Sequence, residues 1–153
     1  MNQLERKMAD IDNELNVEAS DQNISYLIDE YVKKFYEKSG EEVVRVRHNI
    51  WAVREASYTF NIIVTSLLIV FDAVLFDHLP ENKLMLFEDL LSMNAHRAKT
   101  SKLCLVKDRI HLRIVRGLED FDYSEFAAHV DEYREIFPEI MEKLLEKYYS
   151  EEV

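Results

Sequence analysis

Glycine and proline are scarce in this chain of 153 residues, which has two of each. Together the two residue types make up roughly 12% of an average protein. A loop that cradles a phosphate needs several glycines close together, so that backbone N–H groups can approach the anion. Gly40 and Gly117 lie far apart. The sequence therefore argues against a nucleotide-binding site of the glycine-rich-loop kind.

Cysteine is equally rare, and the histidines are scattered. Cys104 is the only cysteine, so it cannot form an internal disulfide, which is typical of the reducing cytoplasm. No two histidines have the i, i+4 spacing that places two metal ligands on one face of a helix. They are His48, His78, His96, His111 and His129. We therefore expect a cytoplasmic protein without a metal or any other cofactor.

The chain also lacks a recognisable catalytic arrangement. A nucleophile needs an activating base within hydrogen-bond reach, and neither Cys104 nor any serine lies in a known activation motif. Carboxylates that are adjacent in sequence, such as Glu88 and Asp89, diverge on a helix and do not form an acid/base pair. We expect no enzymatic activity. The remaining enzymatic alternative is a small-molecule enzyme whose chemistry the sequence does not reveal.

Positive charge is in short supply as well. Nineteen basic residues stand against thirty acidic ones, and the net charge is −11 at pH 7. Such a charge repels nucleic acids and anionic membrane surfaces. The longest uncharged stretch, residues 56–71, is shorter than the roughly 20 residues that a membrane-spanning helix needs. We expect neither a nucleic-acid partner nor a membrane span.

What the chain does have is clear hydrophobic periodicity. Residues 1–22 are polar apart from Leu4, Met8, Ile11 and Leu15, whose steps of 4, 3 and 4 draw one apolar stripe on a helix. We predict an N-terminal arm over residues 1–22, helical or partly disordered. It is either a loosely docked helix or an arm that packs on a second subunit. Residues 23–150 are predicted to form a single α+β domain.

Within this domain the period changes from helix to strand and back. The pattern predicts a first helix, three strands, a second helix, a hairpin of two strands around Lys107-Asp108, and a final helix. The first strand has a possible bulge near His48 and Asn49. The segments are residues 24–38, 44–53, 57–64, 67–75, 80–93, 103–106 and 109–116, and a last one from residue 122 onward. The order is α-βββ-α-ββ-α, an antiparallel sheet flanked by helices.

Two helices carry further signals. In the second, Leu84, Phe87, Leu90 and Leu91 are expected to form one buried stripe. In the last, Asp122 stands three residues before Glu125, a spacing that caps the start of a helix. Pro138 is expected to kink or split that helix near Phe137, because proline removes a backbone hydrogen bond.

The predicted hairpin has a basic outer face. If Leu103, Leu105, Ile110 and Leu112 point inward together, then Lys102, Arg109, His111 and Arg113 face outward with Cys104. Two interpretations remain open for the wider basic set. It either holds an acidic partner or balances the acidic final helix of the same molecule. The partner interpretation makes Lys102, Arg109, His111 and Arg113 the candidate binding residues. The wider set is Lys99, Lys102, Lys107, Arg109, Arg113 and Arg116.

The order of elements and one local pattern resemble a known family. The run Leu90-Leu91-Ser92-Met93-Asn94 leads into the segment from Leu103 to Leu112, and an acidic helix then opens at Phe121-Asp122-Tyr123. Over residues 24–147 this resembles the YbjN family of bacterial sensory transduction regulators, which is similar in fold to type III secretion chaperones. The resemblance implies an α+β domain, often a homodimer, that binds another polypeptide and has no catalytic residues.

These considerations predict a non-enzymatic protein-binding module that captures a partner polypeptide like a chaperone. The alternative is a regulatory protein of a bacterial signalling pathway, acting through the same surface. A homodimer is expected because residues 67–75 are apolar on both faces and the N-terminal stripe is unassigned. Both sets of apolar side chains need more protection from solvent than one layer of helices provides.

Overall fold

The computed structural model describes residues 22–150, which form three helices and one sheet of six strands. The helices are α1 (Gln22–Tyr36), α2 (Lys83–His96) and α3 (Tyr123–Tyr148). The strands are β1 (Glu42–Arg47), β2 (Ile50–Arg54), β3 (Thr59–Val64), β4 (Leu68–Phe76), β5 (Lys102–Val106) and β6 (Arg109–Gly117). The strands pair antiparallel in the order β1-β2-β3-β4-β6-β5. This is the predicted α+β class. The predicted arm lies outside the described residues except for Gln22, the first residue of α1.

Four strands, rather than the predicted three, precede α2. The segment that was predicted as one bulged strand is the hairpin β1–β2, which turns at His48 and Asn49 so that Arg47 pairs with Ile50. Side chains hold this turn, since Asn49 Nδ2 donates to the Val64 carbonyl oxygen (3.0 Å) and Arg45 donates to the His48 carbonyl oxygen (2.6 Å). A bulge and a tight turn both interrupt the alternation of side chains, and periodicity alone does not distinguish them.

The three helices pack on one side of the sheet, which we call the helix face. Its core contains the largest buried side chains of the molecule, among them Trp51, Phe60 and Tyr133. The Tyr133 hydroxyl donates to the carbonyl oxygens of Phe71 in β4 (2.9 Å) and Leu112 in β6. Burial of each large apolar side chain contributes about 1.5–3 kcal/mol. The apolar stripe of α3 is therefore held on the sheet.

Helix α3 begins as predicted but does not divide at its proline. Asp122 accepts a hydrogen bond from the Glu125 N–H (2.8 Å), and the Glu125 carboxylate accepts one from the Asp122 N–H (3.3 Å). The expected split near Phe137 is wrong, because the helix continues through Pro138 to Tyr148. Proline removes one backbone hydrogen bond, whereas Phe137 and Ile140 remain buried in the core on either side of it.

The opposite side of the sheet, which we call the strand face, has a small apolar cluster of its own. It consists of Ile50, Ile63 and Val70, which are fully buried, with Val46 and Leu68 packed against them. Strand β4 thus carries apolar side chains on both faces, as its composition predicts. No helix among residues 22–150 has the length and apolar composition to cross a membrane.

Candidate partner-binding site

The β5–β6 hairpin places the four predicted binding residues on the strand face. Its turn lies at Lys107 and Asp108, whose backbone φ angles are +47° and +63°. This left-handed conformation closes the turn without glycine. The register sets Lys102 opposite Arg113, and Arg109 opposite Val106. The alternation of side chains predicted from the sequence therefore assigns the faces of this hairpin correctly, but Leu105, which was expected to point into the core, has an exposed fraction of 51%.

Two of the four residues are not accessible, which corrects the expected basic surface. The exposed fraction is 5% for His111 and 8% for Arg113, whereas Lys102 is exposed and Arg109 is half-buried. The reason is Asp72, which lies on the neighbouring strand β4. Arg113 Nε donates to Asp72 Oδ1 (2.7 Å), and His111 Nδ1 lies 3.1 Å from both carboxylate oxygens.

We call Asp72, His111 and Arg113 the buried charge cluster. Burial alone would raise the pKa of Asp72, but the hydrogen bonds from His111 and Arg113 and the charge of the Arg113 guanidinium outweigh it and lower that pKa below its ordinary value. Asp72 is therefore ionised at neutral pH and balances the buried Arg113. This arrangement holds β4 to β6 and does not present a basic surface to a partner.

Cys104 stands directly opposite His111 in the β5–β6 pair. The thiol Sγ lies 3.5 Å from the Lys102 carbonyl oxygen, to which it donates, and His111 directs Nδ1 at Asp72. The imidazole nitrogen Nδ1 is thus directed at Asp72 rather than at the thiol. Within residues 22–150, no three His, Cys, Asp or Glu side chains are grouped so that they could hold a metal ion.

Other members of the basic set neutralise the acidic helix of the same molecule. Lys99 Nζ lies 3.4 Å from Glu135, and Arg116 Nη2 lies 2.8 Å from Glu125, both in α3. Since α3 packs on the helix face, it does not cover the basic residues of the strand face. Intramolecular balance therefore applies to Lys99 and Arg116, while Arg113 is balanced by Asp72 from β4.

The outer side of α2 exposes leucines that the sequence pattern assigned to a buried stripe. Leu90 is buried together with Leu86, but the exposed fractions of Leu84 and Leu91 are 73% and 69%. The stripe over residues 80–93 was therefore wrong for these two. Leucines occur on more than one side of α2, and periodicity does not say which side meets the sheet.

Leu91 lies near the edge strand β5, and Leu84, seven residues earlier, lies on the same side of α2. Leu91 is one turn before Asn94, and Asn94 exchanges two hydrogen bonds with the backbone of Leu103: it accepts from the N–H (2.7 Å) and donates to the carbonyl oxygen (3.1 Å). Two residues further along β5, Leu105 has an exposed fraction of 51%. We call Leu84, Leu91 and Leu105 the α2–β5 edge patch.

The backbone of this edge is partly occupied by side chains. Besides the Asn94 contacts with Leu103, the Glu132 carboxylate accepts hydrogen bonds from the N–H groups of Thr100 (2.9 Å) and Ser101 (2.6 Å). An open edge strand pairs readily with other chains, and bonds of this kind limit that pairing. The α2–β5 edge patch therefore offers mainly apolar side chains to a partner, because the backbone groups of this edge are partly engaged.

A cleft of about 580 Å³ lies between α1 and the edge strand β1. Trp51 lies at its base and donates a hydrogen bond from Nε1 to Asp29 Oδ1 (2.9 Å). Asp29 also pairs with Lys33 at 2.9 Å on the rim. Because Asp29, Lys33 and Trp51 are engaged with one another, these groups of the cleft are less available to a partner than the exposed leucines.

Comparison with known proteins adds no further constraint on these surfaces. No protein-family model matches the chain, and none of the curated proteins matches it in sequence. The α2–β5 edge patch and the strand face are thus the features from which a function is inferred.

Proposed function

We propose that this protein is a non-enzymatic, cytoplasmic protein-binding module that captures a partner polypeptide like a chaperone. The observation that carries the proposal is the α2–β5 edge patch, where three leucines are more than half exposed on adjoining elements. Contiguous exposed apolar surface marks interaction sites in water-soluble proteins. The resemblance to the YbjN family and to secretion chaperones supports the same class of function.

The patch is chemically suited to apolar segments of a partner. Full burial of one leucine contributes about 1.5–3 kcal/mol, and part of this is offset by the loss of freedom on association. Three leucines contribute at most about 4.5–9 kcal/mol before that offset, so that capture through this patch is reversible rather than permanent. The net charge of −11 keeps a chain with such a patch in solution.

A second copy of the chain is included among the proposed partners. Two copies related by a two-fold axis present the same patch to each other, so that the leucines of both are buried together. A homodimer and a captured polypeptide then compete for one surface. Capture should consequently strengthen when the protein is diluted and its dimer dissociates.

The proposal is tested with the double variant Leu84→Ser/Leu91→Ser. Its matched control is Leu67→Ser, which removes a leucine with an exposed fraction of 74% from the turn between β3 and β4. The probe is a reduced and alkylated, permanently unfolded polypeptide with a fluorescent label, and binding is followed by anisotropy. We expect the double variant to bind about tenfold more weakly or worse, which corresponds to about 1.4 kcal/mol. The control should bind like the wild type.

Urea unfolding of the three proteins shows whether the substitutions affect only the surface. Equal midpoints are expected, because the replaced side chains are exposed. Wild-type protein that binds no unfolded polypeptide, or a double variant that binds as well as the wild type, would contradict the proposal. Binding of folded proteins alone would favour the regulatory alternative instead.

A further inference from the structure

One carboxylate lies among the leucines of the α2–β5 edge patch. Residues three, four and seven positions apart share one side of a helix, so Glu88 lies on the same side of α2 as Leu84 and Leu91, between the two. Glu88 is exposed and forms no ion pair with the rest of residues 22–150. Its neighbour Asp89, by contrast, pairs with Lys147 Nζ at 2.7 Å. The patch therefore combines apolar side chains with one uncompensated negative charge.

This negative charge restricts which partner can cover the leucines. A partner that buries both Leu84 and Leu91 also removes water from Glu88, which lies between them. An ionised carboxylate loses favourable hydration on burial unless a positive charge or hydrogen-bond donors replace the water. A purely apolar partner loses at Glu88 part of what it gains at the leucines, and a second copy of the chain brings another Glu88. A partner with a cation at this position avoids the loss.

The edge of the sheet at this patch favours a helical partner over an added strand. The side chains of Asn94 and Glu132 already accept hydrogen bonds from backbone N–H groups at the start of β5. A helix needs none of these groups, because its own backbone is satisfied internally. The Cα atoms of Leu84 and Leu91 are about 10.5 Å apart along α2, at 1.5 Å per residue. Side chains seven residues apart on a partner helix have the same spacing.

We propose that the polypeptide captured at the α2–β5 edge patch is a basic amphipathic helix. Its apolar side chains pack on the leucines, and an arginine or lysine between them meets Glu88. This inference rests on the proposed function and adds the chemistry of the partner. Arginine is the better residue of the two, because its planar guanidinium can donate two parallel hydrogen bonds to one carboxylate. The net charge of −11 also attracts basic segments before contact.

The first measurement uses the wild-type, full-length protein and so does not depend on any variant folding. Two fluorescent peptides of about 18 residues form amphipathic helices with leucines seven positions apart. They differ only at the position between those leucines, which is arginine in one peptide and glutamine in the other. We expect anisotropy to show about fivefold tighter binding of the arginine peptide, the effect of one partly exposed ion pair. The preference should shrink in about 1 M salt, which screens the charges.

The second measurement assigns this preference to Glu88. We expect Glu88→Gln to bind the two peptides with affinities within about twofold of each other, because the paired charge is gone. The matched control is Glu37→Gln, which removes an equally exposed carboxylate beside β1, at the opposite edge of the sheet. The control should keep the fivefold preference. Equal urea midpoints are expected for the three proteins, because both replaced side chains are exposed.

The outcomes separate this inference from the proposed function. Equal affinity of the wild type for the two peptides, or a preference that Glu88→Gln retains, would overturn the inference. A preference that Glu37→Gln also loses would trace it to net charge and overturn it as well. Wild-type protein that binds the unfolded polypeptide but neither peptide would overturn the inference and leave the capture of polypeptides intact. Only the absence of binding to the peptides and the unfolded polypeptide alike would remove both.

Discussion

At the scale of single residues, the most consequential side chain is Asp72. It is the only charged residue in the otherwise apolar strand β4, and its exposed fraction is 1%. A carboxylate at such a site is tolerated only when counter-charges and hydrogen bonds compensate its loss of water. His111 and Arg113, two residues apart on β6, supply both from one face of the neighbouring strand.

Replacing this carboxylate should destabilise the fold. We expect Asp72→Asn to lower the free energy of unfolding by about 3 kcal/mol, because it removes the negative charge that Asp72 places against the buried Arg113 guanidinium. Urea unfolding followed by circular dichroism measures the change. Asp131→Asn is the control, since Asp131 is exposed on α3 and its substitution should change the free energy by no more than about 0.5 kcal/mol. Equal losses in both variants would contradict the role given to the cluster.

The same carboxylate makes a predictable contribution to pH dependence. The pKa of Asp72 is lowered in the folded state, so the folded protein binds its proton less readily than the unfolded chain does. The stabilisation is fully present above the unfolded pKa of about 4 and is lost as the pH falls through the lower folded value. The difference in unfolding free energy between wild type and Asp72→Asn should therefore shrink below about pH 4. A difference that stays constant over that range would show that the pKa of Asp72 is not lowered in the folded state.

At the scale of elements, the sequence predicts which side chains of a strand share a face better than it predicts which strands lie next to each other in the sheet. The period of two assigned the faces of Lys102 and Arg109 correctly, because it depends only on neighbouring residues. It did not reveal that β4 lies next to β6, so the burial of His111 and Arg113 was missed. A lone aspartate in an apolar strand was the available signal that a buried counter-charge exists, but it does not name the partner.

Helix α2 illustrates a second limit. Its leucines are numerous enough to suggest several stripes, and the sheet covers Leu86 and Leu90 while leaving Leu84 and Leu91 in solvent. Which side is buried depends on where Asn94 attaches the helix to β5, a contact between residues nine positions apart. The candidate binding surface was therefore less predictable than the fold class.

The attachment of α2 to β5 gives the prediction at this scale. Asn94→Ala should lower the free energy of unfolding by about 1–3 kcal/mol, because it leaves the N–H and carbonyl groups of Leu103 without their partners. It should also open the edge strand and increase concentration-dependent aggregation. Asn94→Asp is the matched variant, since it keeps an acceptor for the Leu103 N–H. Urea unfolding and light scattering at several protein concentrations measure both effects, and an Asn94→Ala protein as stable and soluble as the wild type would contradict this role.

At the scale of the whole molecule, the two faces of the sheet differ in how they are closed. The helix face is covered by α1, α2 and α3, and ion pairs such as Arg97 Nε with Glu139 Oε2 (2.8 Å) fix the loop after α2 to α3. Among residues 22–150, no buried helix side chain joins the apolar cluster of the strand face. The self-association that we propose uses the α2–β5 edge patch.

The last prediction concerns this self-association. Gel filtration coupled to light scattering should give twice the 18.2 kDa mass of one chain, because two edge patches bury their leucines against each other. Leu84→Ser/Leu91→Ser should reduce the mass to that of one chain, whereas Leu67→Ser should leave the dimer intact, since Leu67 lies in the distant turn between β3 and β4. Wild-type protein that elutes as a monomer would remove the homodimer from the proposed function. A dimer that persists in the double variant would instead move its interface to another surface, with the strand face as the next candidate.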